Sequence, residues 1–116
     1  VYTGPEVLSG STRLKAGTAQ KMILNMISTA SMVGVGKVYQ NLMVDVRQTN
    51  QKLVCRAEHI VMQSTGCTRE EAAQALLEAG GEAKPAVVKL LLDTDIENAR
   101  RLLERAEGSV RRAVAD

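Results

Sequence analysis

The chain contains neither phenylalanine nor tryptophan, and only two tyrosines occur among its 116 residues. Aromatic side chains usually dominate the area buried in a protein core. The core must therefore be built from leucine, valine, isoleucine, methionine and alanine, which suits packed helices. The same scarcity removes the stacking surfaces of single-strand nucleic-acid binders and the aromatic cages that hold quaternary ammonium groups. The sequence therefore predicts a mostly α fold.

Length and charge narrow the class of protein. A chain of this length suffices for one small domain or two very small ones. The 15 basic and 13 acidic residues nearly cancel, which argues against a nucleic-acid coat and against a disordered charged tail. The sequence contains no apolar run of about 18 residues, so no membrane-spanning helix is expected. The first residues resemble no signal peptide and include no initiator methionine, so we expect a fragment or a trimmed chain.

The cysteines and the histidine predict no reactive or metal site. Cys55 and Cys67 have no metal-ligand spacing, and they bracket one predicted helix, which disfavours a disulfide between them. Reduced thiols of a cytosolic protein are the favoured interpretation. His59 lies in the middle of a predicted helix without a catalytic partner at suitable spacing, which favours an ordinary surface histidine.

A helix is predicted from about Thr18 to Val35, and it is apolar on nearly every side. Its apolar residues recur at three- and four-residue steps: Ile23, Met26, Ile27, Ala30 and Val33. Such a helix is typically buried, so we expect it to lie inside a larger domain or a dimer and the isolated chain to self-associate. Core packing is the expected role of four methionines, Met22, Met26, Met32 and Met43. Gly34 and Gly36 are predicted to end the helix.

The second half predicts a bundle of short helices. Residues 42–46 are either a strand or an irregular connection, and a domain boundary is expected near residues 47–50. Thr49 or Asn50 caps a helix that ends before Gly66. The next helices are predicted from their caps and turns: a capping box of Thr68 and Glu71, the pair Gly80-Gly81, Pro85 in a first turn, a start near Asp95, and Gly108-Ser109 before a last short helix.

An internal repeat relates two parts of this bundle. Thr68 and the run Leu76-Leu77-Glu78 match Thr94 and Leu102-Leu103-Glu104 at a shift of 26, with one residue of slippage afterwards between Ala86 and Ala113. Each copy is a helix, a turn containing glycine and a second helix. Copies this short either bind a ligand each or bury each other's apolar face, and the second interpretation is favoured.

Residues 4–18, the lead-in segment, carry the chemistry. They combine glycines, two cations, Arg13 and Lys15, and four hydroxyl side chains, Ser9, Ser11, Thr12 and Thr18. The segment runs into the apolar helix, whose first turn offers free N–H groups and a positive dipole end to an anion. These features predict a phosphoester site. The alternative is that Ser11 or Thr12 merely caps the helix while both cations are solvated. The order of residues is not that of a Walker loop.

The motif Gly-Pro-Glu-x-Leu-x-Gly-Ser-Thr-Arg-x-Lys-x-Gly-Thr-Ala-Gln-Lys at residues 4–21 resembles the N-acetylmuramic acid 6-phosphate etherase family. The run Asn41-Leu42-Met43-Val44-Asp45-Val46 and the tail around Leu102–Gly108 extend the resemblance over nearly the whole chain. The opening motif is also shared with glucokinase regulatory protein. One departure is Gly34-Val35, where the family has a larger, often basic first residue.

The resemblance implies a cytoplasmic homodimer that acts in peptidoglycan recycling without a cofactor or metal. Its enzymes cleave the D-lactyl ether of N-acetylmuramic acid 6-phosphate by elimination and water addition, giving N-acetylglucosamine 6-phosphate and D-lactate. Residues 1–48 would end a sugar isomerase (SIS) domain that binds phosphosugars, with the long helix buried in it. Residues 49–116 would form a small helical domain resembling a ubiquitin-associated fold.

The resemblance also assigns roles to residues. The family's proposed catalytic glutamates lie upstream of the matched segment, so no catalytic residue is assigned to this chain. By position, contacts near the sugar phosphate fall on Ser11, Thr12, Arg13, Lys15 and Thr18, with Lys15 as the direct ligand. Two alternatives remain: a phosphosugar sensor that regulates a kinase, and a helical tail that binds another protein. Neither nucleic acid nor a membrane is expected as a partner.

Overall fold

The computed structural model describes residues 1–115, which form six α-helices and one short β-hairpin and so confirm a mostly α fold. The elements in chain order are α1 (Arg13–Gly34), β1 (Val38–Tyr39), β2 (Leu42–Met43), α2 (Gln51–Thr65), α3 (Arg69–Glu78), α4 (Ala83–Leu92), α5 (Ile96–Arg105) and α6 (Val110–Ala113). Within the described residues, no helix is both long and apolar enough to cross a membrane.

The contacts within the chain define two compact units, residues 1–34 and the remainder from Val35. Residues 35–48 pack with the helical unit: Val44 is fully buried in its core, and the Val46 carbonyl accepts a hydrogen bond from the Ala83 N–H at 3.2 Å. The assignment of residues 1–48 to a SIS domain and of residues 49–116 to a helical domain stays a prediction.

The first unit is the lead-in segment followed by α1. The helix begins at Arg13, five residues before the expected start, because the Leu14 and Ala16 N–H groups already bond to the carbonyls of Ser11 and Thr12. It ends at Gly34, as predicted, and Gly36 follows with a left-handed φ of 71°.

The side chains of α1 are exposed in this chain, and the burial of α1 inside a larger domain or a dimer stays a prediction. None of the described side chains of α1 is buried, and Met22 and Met26 are 54% and 59% exposed. Met43 is exposed as well and Met32 is half-buried, so these methionines are not core residues of this chain, and their role in a larger core stays a prediction. The physical reason is that one helix and a loop provide no second apolar surface against which α1 can pack.

The second unit, which the structure describes over residues 35–115, consists mainly of short helices. Their ends lie close to the positions predicted from the sequence. Asn50 caps α2 by accepting the Leu53 N–H at 2.9 Å, and Gly66 ends it in the left-handed conformation. Thr68 and Glu71 form the predicted capping box at the start of α3. The stretch 42–46, left open above, contains strand β2, which pairs antiparallel with β1.

The core of this unit is aliphatic, as the composition requires. Its largest fully buried side chains are Leu76, Val44, Val61, Val87, Val88 and Val110, and alanines from α2 to α6 fill the space between helices. Both cysteines are free thiols and His59 is exposed on α2, as expected.

The internal repeat is real, but its period is 27 residues throughout. α3 and α5 have ten residues each and start 27 positions apart. The turns after them match bond for bond: the Gly81 N–H donates to the Leu76 carbonyl at 2.8 Å, and the Gly108 N–H donates to the Leu103 carbonyl at 2.7 Å. The shift of 26 is wrong because it aligns identical letters, whereas the buried positions are 27 apart: Ala72 with Ala99, Leu76 with Leu103, and Ala79 with Ala106.

Two basic side chains, one from each copy of the repeat, form hydrogen bonds that join the copies. Arg100 on α5 donates to the Ala79 carbonyl beside the first turn at 2.8 Å, and Lys84 on α4 donates to the Gly108 carbonyl in the second turn at 2.9 Å. Each copy therefore satisfies a backbone carbonyl at the turn of the other. Because both copies contribute to one core, the arrangement supports mutual burial as the role of the repeat.

Candidate functional site

The lead-in segment folds into a tight loop before α1. The Ser11 N–H donates to the Leu8 carbonyl at 2.9 Å, which closes a turn. Gly10 has a left-handed φ of 84°, a conformation that glycine adopts without steric cost. The loop therefore reverses direction just before the first helical turn.

Glu6 joins the two ends of this loop. Its carboxylate accepts the Gly10 N–H at 2.6 Å through one oxygen and the Thr12 hydroxyl through the other. The Thr12 hydroxyl, and after it the Gly10 N–H, lowers the pKa of Glu6 below its ordinary value. Glu6 is therefore an ionised acceptor at neutral pH, and its side chain is exposed to solvent.

Lys15 is tied to the same loop. Its Nζ donates to the Pro5 carbonyl at 2.6 Å, so neighbouring residues 5 and 6 bind Lys15 and Thr12 respectively. Lys15 is only half-buried, and Arg13 is exposed at the first position of α1. The cations and the Thr12 hydroxyl thus gather at the start of the helix.

The remaining predicted residues are placed differently. Ser11 is half-buried, and its carbonyl starts the helical hydrogen bonds. The Thr18 hydroxyl donates to the Leu14 carbonyl at 3.1 Å, a bond within its own helix. The Thr12 hydroxyl donates to Glu6, and among the described residues no backbone N–H of α1 donates to it, so simple capping by Thr12 is not observed. The sequence analysis assigned no role to Glu6, although a carboxylate among glycines and hydroxyl side chains was a visible signal.

The first turn of α1 contains no acidic residue. The positive end of the helix dipole and the side chains of Arg13 and Lys15 therefore act in the same direction on an approaching anion. Arginine and lysine side chains give charge-assisted hydrogen bonds to phosphate oxygens, whereas a serine hydroxyl can give only a neutral one. The arrangement is suited to a phosphate group.

The second unit has an ionic cluster of its own. Asp45 pairs with Lys37 at 3.0 Å and with Lys84 at 3.8 Å, and Glu82 pairs with Arg47 at 3.0 Å and with Arg100 at 3.1 Å. A cavity of about 240 Å³ lies against part of this cluster and is lined by residues that include Asp45, Arg47, Glu82, Lys84, Arg100 and Leu103. Within residues 1–115 no group of acidic, histidine and cysteine side chains is arranged to hold a metal ion.

Replacing Asp45 with asparagine is expected to lower the free energy of unfolding by at most about 1 kcal/mol at pH 7, because both Asp45 and Lys37 are 41% exposed and solvent weakens their attraction. The Lys37 hydrogen bond, and after it the charge of Lys84, lowers the pKa of Asp45, against an opposing effect of burial. A lowered folded-state pKa stabilises the fold above the unfolded pKa of about 3.9, and this stabilisation is lost as pH falls through the folded value.

Urea unfolding at pH 7 and pH 2.5 measures this effect. We expect Asp45→Asn to be less stable than the unmodified chain at pH 7, and we expect this difference to be smaller at pH 2.5. Glu104→Gln, at an exposed position on α5, is the control for loss of one negative charge. A difference of the same size at both pH values would contradict the ion-pair explanation.

Comparison with known proteins finds similarity over most of the chain. Residues 40–100 match the family described as the C-terminal lid domain of glucokinase regulatory protein. Similar proteins named N-acetylmuramic acid 6-phosphate etherase are 60% identical in Shouchella clausii, 59% in Geobacillus thermodenitrificans and 60% in Mycolicibacterium smegmatis.

Each of these matches covers 98% of this chain but only 38–39% of the relative. The chain therefore spans less than two fifths of the length of the relatives it matches, and the matches include the lead-in segment as well as the helical unit. The chain belongs to the family described as the C-terminal lid domain of glucokinase regulatory protein, and over 98% of its length it is similar to proteins named N-acetylmuramic acid 6-phosphate etherase.

Proposed function

We propose that this chain is the C-terminal portion of an enzyme that cleaves the D-lactyl ether of N-acetylmuramic acid 6-phosphate. The products are N-acetylglucosamine 6-phosphate and D-lactate, which places the enzyme in amino-sugar metabolism and peptidoglycan recycling. The observation that carries the proposal is the 60% identity to an etherase over 98% of the chain. The chain alone is expected to be inactive.

The lead-in segment supplies part of the phosphosugar site in this proposal. Arg13 and Lys15 lie at the start of α1, where the helix dipole also favours an anion. Lys15 is the direct ligand, and it exchanges the Pro5 carbonyl for a phosphate oxygen. Ser11, Thr12 and Thr18 complete the candidate set, with Thr18 the weakest because its hydroxyl is engaged within the helix.

The chemistry requires groups that this chain is not proposed to supply. One base removes the proton beside the carbonyl carbon of the open sugar, and one acid protonates the departing ether oxygen before water adds. The acid and base carboxylates belong to the rest of the parent enzyme. Glu6 is not proposed as the base, since both of its oxygens already accept hydrogen bonds.

The exposed apolar surface of α1 supports assembly into a larger body. Its exposed side chains include Leu14, Met22, Leu24, Met26, Ile27 and Val33. An apolar stretch of this extent is unusual on a monomer. In the proposal it is covered within a SIS domain of a cytoplasmic homodimer, while α2 to α6 form the ubiquitin-associated-like domain.

Lys15→Ala in the full-length parent enzyme is expected to raise the KM for N-acetylmuramic acid 6-phosphate about tenfold to a hundredfold. The reason is that a hydrogen bond to a charged group contributes about 1.5–3 kcal/mol. A phosphate ligand binds the ground state and the transition state alike, so kcat should change little. Steady-state kinetics that follow D-lactate release measure both constants.

Lys52→Ala is the matched control, because Lys52 is an exposed lysine on α2, outside the lead-in segment and the helix that follows it. It should leave both kinetic constants within about twofold, since surface changes away from a site have small effects. Unchanged kcat and KM in Lys15→Ala would exclude Lys15 as a phosphate ligand.

A phosphosugar sensor without catalytic activity is the second candidate, favoured by the match to the lid domain of glucokinase regulatory protein. Release of D-lactate distinguishes the two candidate functions, because only the etherase forms it. D-lactate released by the purified parent protein identifies the etherase, whereas binding of the phosphosugar without D-lactate identifies the sensor.

A further inference from the structure

We propose that Glu6 is a positioning residue that holds the lead-in segment in its anion-binding shape by fixing the Thr12 hydroxyl and the Gly10 peptide. The inference rests on the proposed phosphosugar site and adds to it a residue that contacts no ligand. It is carried by two hydrogen bonds that the two carboxylate oxygens accept from different donors.

The geometry makes Glu6 the link between the loop and the helix. Gly10 lies four residues after Glu6 and Thr12 lies six residues after it, directly before the first residue of α1. Gly10 has a left-handed φ, and its N–H donates to the carboxylate at 2.6 Å. Without this link the loop has only the Leu8–Ser11 turn and the Lys15–Pro5 bond to define its path.

A carboxylate suits this role better than an amide does. It accepts with both oxygens at once, and bonds to an ionised acceptor are stronger than neutral ones. Glutamine replaces one of the two oxygens with an NH2 group, so one of the two donors would face a donor instead of an acceptor. A loop ordered in advance binds its ligand at a lower entropic cost.

A different role predicts the opposite effect. If the Glu6 carboxylate occupied the place of the phosphate, it would compete with the ligand, and removing its charge would tighten phosphosugar binding. If it positions the loop, the same change loosens binding. Glu6→Gln therefore separates the two roles, since it removes the charge while it keeps the size of the side chain.

The experiment uses the full-length parent enzyme with N-acetylmuramic acid 6-phosphate as the probe. Glu6→Gln and Thr12→Val are each expected to raise KM about tenfold, with kcat and Tm nearly unchanged. The double variant should be no worse than the weaker single variant, because both remove one shared bond. Thr12→Ser keeps the hydroxyl and should restore KM.

Two exposed positions provide matched controls: Glu97→Gln on α5 and Thr49→Val just before α2. Tighter binding in Glu6→Gln, additive losses in the double variant, or a Thr12→Ser variant as weak as Thr12→Val would each overturn the proposal. If Glu6→Gln fails to fold, Glu6→Asp is measured instead: it keeps the charge on a side chain one methylene shorter, so it should also raise KM, and an unchanged KM would overturn the proposal.

Failure of the proposed etherase activity can be distinguished from failure of the positioning role of Glu6. A wild-type parent protein that releases no D-lactate rejects the etherase activity, and the same variants are then compared by titration with N-acetylglucosamine 6-phosphate. A weaker Kd in Glu6→Gln and Thr12→Val supports the positioning role, and an unchanged Kd rejects it.

Discussion

Replacing Leu76 with alanine is expected to lower the free energy of unfolding by about 2–5 kcal/mol. Leu76 is 1% exposed and is among the largest fully buried side chains of the unit that begins at Val35. Its removal leaves a cavity in a core built largely of alanine and valine, whose short side chains are poorly able to fill the space. Urea unfolding followed by circular dichroism measures the change.

Leu77 provides the control within the same helix. It is 75% exposed, so Leu77→Ala removes the same atoms without opening a cavity and should change the free energy of unfolding by less than about 0.5 kcal/mol. Equal effects at Leu76 and Leu77 would contradict the observed orientation of α3.

Gly36→Ala is expected to destabilise the same unit by about 2–5 kcal/mol, for two reasons. A φ of 71° costs an L-residue about 1–2 kcal/mol. In addition, the new Cβ would lie 3.1 Å from the Ser109 Cα and 3.2 Å from the Gly108 carbonyl carbon and oxygen. These are backbone atoms that cannot rotate away, and overpacking of this kind costs a further 1–3 kcal/mol or so.

Gly66→Ala separates the two causes. Gly66 has a similar φ of 76°, but a Cβ there would meet nothing within 4 Å. It should therefore show only the backbone cost, about 1–2 kcal/mol. If both variants lost the same stability in urea unfolding, the close approach of Gly36 to the turn before α6 would make no contribution.

The ends of α2 and α3 could be predicted from the sequence because their causes are local. Asn50 bonds to a residue three positions away, Thr68 and Glu71 bond to each other, and Gly66 needs only its own φ. The start of α1 was predicted too late in the chain, because the sequence there shows no clear local signal. Polar residues and Gly17 hide the helical periodicity there, and the helix begins on backbone bonds that the sequence does not display.

The repeat was detected, but its alignment required knowledge of burial. Ala73 and Ala99 share a residue type, yet Ala73 is exposed and Ala99 is buried. The true counterpart of Ala99 is Ala72, which is buried on α3. Residue identity at one position is weak evidence compared with the periodic face that a helix presents to its core.

The candidate site was predicted in part. The residue types of Thr12 and Lys15 pointed to anion binding, and the structure brings both side chains to one loop. Glu6 was missed because its contact with Thr12 depends on the path of the intervening residues, which the left-handed Gly10 sets. Ion pairs such as Arg100 with Glu82 join residues 18 positions apart and leave no local pattern.

The reciprocal cation contacts bear on how the helical unit folds. Arg100 satisfies the Ala79 carbonyl and Lys84 satisfies the Gly108 carbonyl, so neither copy completes its own backbone hydrogen bonding. A half-formed bundle would leave one of these carbonyls dependent on water and the apolar side of α4 uncovered. The duplicated halves should therefore melt together in one cooperative step, unlike an array whose modules come apart one by one.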